Sequence, residues 1–101
     1  MLILLDMGDK CYPQLHEPFL KAADKTVENL PSVAELRAFW KNQCALLTQK
    51  FESLQPEQWM EKHTSVSAED FAKEPHRNKF NIIVTRTTHL QYHIGQLRLL
   101  K

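Results

Sequence analysis

The stretch S-V-A-E-L-R-A-F-W-K-N-Q-C-A-L-L-T-Q-K-F-E-S-L, Ser32 to Leu54, decides the fold class. Ser32 and Glu35 have the S-x-x-E spacing of a capping box, in which a hydroxyl satisfies an orphan backbone N–H and a carboxylate reaches back. Pro31 keeps any preceding helix from running on. Leu36, Trp40, Cys44, Leu47, Phe51 and Leu54 then recur at three-and-four spacing, and Arg37, Lys41, Gln49 and Lys50 take the opposite face. That pattern predicts an amphipathic helix of about six turns.

Outward from it, a second helix is predicted over Asn78–Leu100. Asn78 is the expected N-cap, and Pro75 marks the loop before it. Phe80, Ile83, Leu90, Ile94 and Leu97 form its apolar face, while Arg98 and Lys101 suit the negative end of the helix dipole. The β-branched run Ile82-Ile83-Val84 favours a strand locally, but the long helical period outweighs it. Toward the N-terminus, Leu2, Leu5, Tyr12, Leu15 and Leu20 suggest a helix ending near Tyr12, a bend, and a second stretch from about Pro18 to Leu30. A polar connection over residues 55–77 holds a short turn at Pro56-Glu57-Gln58-Trp59 and a box-like helix start from Ser67 to Asp70. The expected architecture is all-α: an incomplete antiparallel helix bundle, with residues 1–101 as one domain.

Composition narrows the function classes. Thirteen basic and twelve acidic residues leave a net charge of +1, which offers no electrostatic argument for nucleic acid or an anionic membrane. The apolar start, Met1 to Leu5 followed by Asp6, is too short for a signal peptide or a membrane span. Cys11 and Cys44 lack C-x-x-C spacing and read as reduced thiols. The expectation is a cytoplasmic protein.

Within the second helix, His89 and His93 stand four apart, so both imidazoles project from one face about 40° apart around the axis. Two such rings can converge on one divalent transition-metal ion, given neutral imidazoles and outer acceptors that fix each tautomer. Thr85, Gln91 and Gln96 are the neighbours able to serve as those acceptors. The competing reading is a hydrogen-bonded core pair, the commoner fate of histidine on an apolar helix face. An H-E-x-x-H peptidase is ruled out, because Leu90-Gln91-Tyr92 supplies no general base. Trp40 and Trp59 read as core anchors, and Cys44 as an inert apolar residue. Gly95 calls for close approach of a neighbouring helix. Tyr92 reads as a buried tyrosine with a satisfied hydroxyl, or as a proton donor near the metal.

The run R-T-T-H-L-Q-Y-H-I-G-Q-L, Arg86 to Leu97, resembles the last helix of the DinB-like (DinB/YfiT-type) metalloenzyme family, whose most recognisable motif is H-x-x-x-H-x-G-Q. His89, His93, Gly95 and Gln96 match that motif. The helix Ser32–Leu54 with the exit L-Q-P-E-Q-W at 54–59 is similar to the family's preceding helix, and Leu2–Leu15 to its second. The resemblance implies a four-helix bundle and a divalent metal, zinc, nickel or similar, held by three histidines. It also implies thiol-dependent transferase, isomerase or hydrolase chemistry on a small-molecule substrate with a low-molecular-weight thiol. The position of the third histidine falls at or before Met1, and the family's first helix would precede residue 1, so the chain reads as an N-terminally shortened member. Asp6 is the leading substitute ligand, since two histidines and a carboxylate make an established open site. His16, His63 and His76 rank below it, the last two as surface histidines. The alternative is a non-catalytic interaction protein with a vestigial metal site, in which homodimerisation completes the bundle and covers its apolar groove.

Overall fold

The structure, a computed structural model, describes residues 1–100; the dipole role expected of Lys101 lies outside them. Helix predominates, and among the described residues there is no strand, only an isolated antiparallel bridge between Lys62 and Asn78. No helix is long and apolar enough to cross a membrane. Two compact units are present, residues 9–53 and residues 1–8 with 54–101.

The first unit is dominated by α1, Val33–Glu52. Its start is the expected capping box. The Glu35 amide donates to the Ser32 hydroxyl at 3.2 Å, and the Ser32 amide and hydroxyl both donate to Glu35 Oε2 at 2.8 Å. Those two bonds to Ser32 hold the Glu35 carboxyl below its ordinary pKa. Trp40 does not anchor a core: it is 61% exposed. Phe39, one residue earlier, takes the inward place, its ring stacked on Tyr12 at 4.4 Å. The helix expected over Pro18–Leu30 shrinks to a 3-10 turn at Pro13–Leu15 and one wide turn at Glu17–Lys21, closed by the Ala22 amide on the Glu17 carbonyl at 2.8 Å. Ala22 is already extended and Lys25 has φ 61°, so the helical backbone cannot continue.

The second unit holds α2 (Pro56–Trp59), α3 (Ala68–Lys73) and α4 (Lys79–Arg98). Each has the predicted start. Pro56 opens α2 behind Gln55, the Ser67 hydroxyl accepts from the Asp70 amide at 3.0 Å, and Asn78 Oδ1 accepts from the Asn81 amide at 2.8 Å. The helix expected over Leu2–Tyr12 is reduced to a single turn. The Asp6 amide bonds the Ile3 carbonyl and the Met7 amide bonds the Leu2 carbonyl, with Asp6 left-handed at φ 57°. Those two bonds around a left-handed residue are a Schellman C-terminus, and Gly8 at φ 142° carries the chain further from helix.

That turn nevertheless supplies the core. Leu2 and Leu5 are buried with Val66 and His63, Leu5 most completely at 1% exposure. Thr64 clamps the turn from across the sequence: its amide donates to the Leu4 carbonyl at 3.0 Å and its hydroxyl to the Ile3 carbonyl at 2.9 Å. The base of α4 is tied to α2 and its exit by the Lys79 amide on the Glu61 carbonyl, 2.9 Å, and by the Lys79–Glu61 ion pair, 2.8 Å. His63, expected on the surface, is 8% exposed. Its Nδ1 bonds Ser65 Oγ at 3.0 Å, and burial, with Arg77 and Lys62 nearby, pushes its pKa down.

Candidate metal centre on the last helix

Helix α4 is built from residues of indifferent helix propensity, and its threonines satisfy their hydroxyls on its own backbone. The hydroxyls of Thr85, Thr87 and Thr88 donate to the carbonyls of Ile82, Ile83 and Thr85 at 3.0, 2.8 and 2.9 Å. Past this collar lie the two histidines, on the exposed part of the helix; every residue from Val84 to Leu100 is exposed.

The rings do converge. His89 Nε2 and His93 Nε2 are 2.9 Å apart, with ring centroids at 4.6 Å and planes at 64°. His93 Nδ1 is 2.8 Å from Gln96 Oε1, and the Gln96 amide nitrogen donates to the Tyr92 hydroxyl at 3.2 Å. The chain of bonds has one consistent direction. Because the Gln96 nitrogen is committed to Tyr92, its oxygen faces the ring and accepts from His93 Nδ1–H. The His93 Nε2 lone pair is then free and aimed at His89. In the metal-free neutral pair, His89 supplies the Nε2–H between them.

Two imidazole nitrogens each about 2.0–2.1 Å from one ion lie about 2.9 Å apart when they subtend a right angle, and about 3.4 Å apart at the tetrahedral angle. The observed 2.9 Å matches the first, and a few tenths of an ångström of ring motion reaches the second. The fixed Nδ1–H tautomer of His93 is the one an Nε2 ligand needs. As two ligands of a divalent site the residues fit once the His89 proton moves from Nε2 to Nδ1.

They remain two. Among the described residues no group of three or more His, Cys, Asp or Glu side chains is gathered where it could hold an ion. Asp6 is not brought to the pair. It caps the N-terminal turn and lines a hollow of about 420 Å³ with Glu61, Lys62, Thr64, Phe71 and Lys79. From Lys79, His89 lies ten residues along α4, about 15 Å of helix axis. His63 is committed to the small core, and His76 is exposed.

Of the three expected outer acceptors, Gln96 alone bonds a histidine in this set, since the Thr85 hydroxyl is turned onto the Ile82 carbonyl. The part played by Tyr92 was not anticipated, although its i, i+4 spacing to Gln96 is the available signal. Tyr92 is exposed, contrary to the buried reading, and its hydroxyl serves as acceptor. Gly95 has no close neighbour: a Cβ there would meet nothing within 4 Å. No family model and no curated protein matches this chain.

Proposed function

We propose that the chain is a DinB-like metal-dependent protein, in which His89 and His93 hold a divalent ion for thiol-dependent transfer or hydrolysis on a small electrophilic substrate. The observation that carries this reading is the convergence of the two Nε2 atoms, with His93 fixed in the ligand tautomer by Gln96. The parts played by the chain's own residues follow from those bonds. His89 and His93 bind, Gln96 holds the His93 proton on Nδ1, and Tyr92 holds the Gln96 amide in the orientation that does so. When bound, a divalent ion with open positions supplies Lewis acidity that lowers the pKa of a thiol or water sharing it.

The test is elemental analysis of tag-free protein after incubation with zinc or nickel. Uptake that disappears in His89→Ala and His93→Ala, with helicity retained because alanine is the better helix former, is the expected result. No uptake by the unaltered chain sinks the reading.

A second reading is favoured by one observation, the exposure of the whole of α4 beyond Ile83. It makes the chain a non-catalytic interaction protein that keeps a metal site as a relic or a structural device. Metal-loaded protein that fails to accelerate thiol transfer to any simple electrophile would favour it.

A further inference from the structure

The exposed part of α4 presents half of a coordination sphere. Two imidazole nitrogens lie 2.9 Å apart on exposed side chains, and among the described residues no third metal-binding side chain is gathered with them. We propose that the ion is shared between two copies of this chain, each supplying His89 and His93 from an antiparallel α4. This proposal rests on the metal reading above and adds to it the identity of the missing ligands.

Several observations select a second copy as the occupant. A two-fold axis through the ion doubles the pair to four nitrogens, the number a tetrahedral zinc ion takes. With the helices antiparallel and centred on Gln91, His89 of one copy stands level with His93 of the other. Arg86 is the cation nearest the pair on the same helix face, and α4 carries no Asp or Glu to offset it. The antiparallel arrangement sets the two Arg86 side chains about 15 Å apart along the helix axes, whereas a parallel one would put them level. Opposed helix dipoles act in the same direction.

Apolar surface lies beside the pair. Leu90 is 45% and Leu97 65% exposed, and both lie within about 80° of the midline of the histidines, on one side of it. In the antiparallel dimer the same flank of each copy comes together, so Leu90 of one chain lies beside Leu90 of the other. The side chains on that flank shield the ion from water on one side only. On the opposite flank stand Tyr92 and Gln96, the polar pair that holds His93 in its tautomer.

Zinc titration of the full chain at micromolar concentration, read by sedimentation velocity together with bound-metal analysis, tests this. The expected result is a twofold rise in mass, saturating at one zinc per two chains. Chelator reverses it, and His93→Ala abolishes it. Leu90→Glu weakens zinc-induced association while leaving the two ligands in place. Zinc bound at one per chain with unchanged mass overturns the shared site and leaves the metal reading standing. A dimer that forms equally without zinc, or in His93→Ala, overturns the ion as the link. No zinc binding at all removes the metal reading, and the shared site with it. The two alanine variants change exposed side chains, and their circular dichroism shows directly that α4 is intact.

Discussion

Gln96 sits between a ring that must keep a proton on Nδ1 and a phenol that accepts from its own amide. Its influence on metal binding is therefore indirect and can be separated from ligation. Outer acceptors of this kind are worth about 10- to 100-fold in metal affinity. Gln96→Leu, which has nearly the same helix propensity, is expected to weaken zinc binding by a factor in that range. Competition against a chromophoric chelator measures it, and an unchanged affinity would mean the His93 tautomer is not set by Gln96. At this scale the sequence was partly readable. The i, i+4 histidines could be named from spacing alone, and Gln96 as one of three candidate acceptors with Thr85 and Gln91. The direction of the bonds could not, because it depends on which atom of the Gln96 amide Tyr92 engages.

Among the elements, those that begin with local chemistry were legible. Ser32 with Glu35, Ser67 with Asp70, and Asn78 with Asn81 each announce a helix start through a bond made within one turn, and Pro56 does so through its fixed φ. The N-terminal segment was misread, because apolar spacing at Leu2 and Leu5 is satisfied by a single turn as well as by three. What ends that turn is a left-handed Asp6, a backbone state that no periodicity records. Its position makes a prediction. Asp6→Gly relieves a conformation that costs an L-residue about 1 kcal/mol, so the variant should raise the unfolding midpoint in urea. The same variant should leave zinc uptake unchanged. Lost uptake would restore Asp6 as a ligand and show that the turn rearranges around the ion. The outward Trp40 has a similar cause: helix periodicity identifies a face to within a residue or so, and the Tyr12–Phe39 stack turned α1 toward Phe39.

For the molecule as a whole, stability in the unit that carries α4 is concentrated in few residues. Leu2, Leu5 and Val66 are its buried apolar side chains among the described residues, and His63 is buried with them. Burial first, then Arg77 and Lys62, hold the folded-state pKa of His63 below its ordinary value of 6.5. The unfolded chain therefore binds a proton in a range where the folded chain does not. The stability contributed by neutral His63 is complete above about pH 6.5 and is lost as pH falls through the depressed folded pKa. Thermal unfolding followed from about pH 7.5 to pH 5 should show the midpoint declining over that interval, and His63→Gln should flatten the decline. An equally steep decline in the variant would assign the effect to other groups. Nothing in the sequence separated His63 from His76, since both lie in the same polar connection, whereas in the structure the residue after His63, Thr64, is bonded to the N-terminal turn.

The threonine collar of α4 has a consequence for how that helix meets its surroundings. Each hydroxyl of Thr85, Thr87 and Thr88 donates its proton to the backbone of its own helix, so toward the solvent it presents a methyl and an acceptor oxygen and no donor. By composition this stretch counts as hydrophilic. To an approaching surface it can accept hydrogen bonds but has no hydroxyl proton left to give, so a partner there must bring the donors.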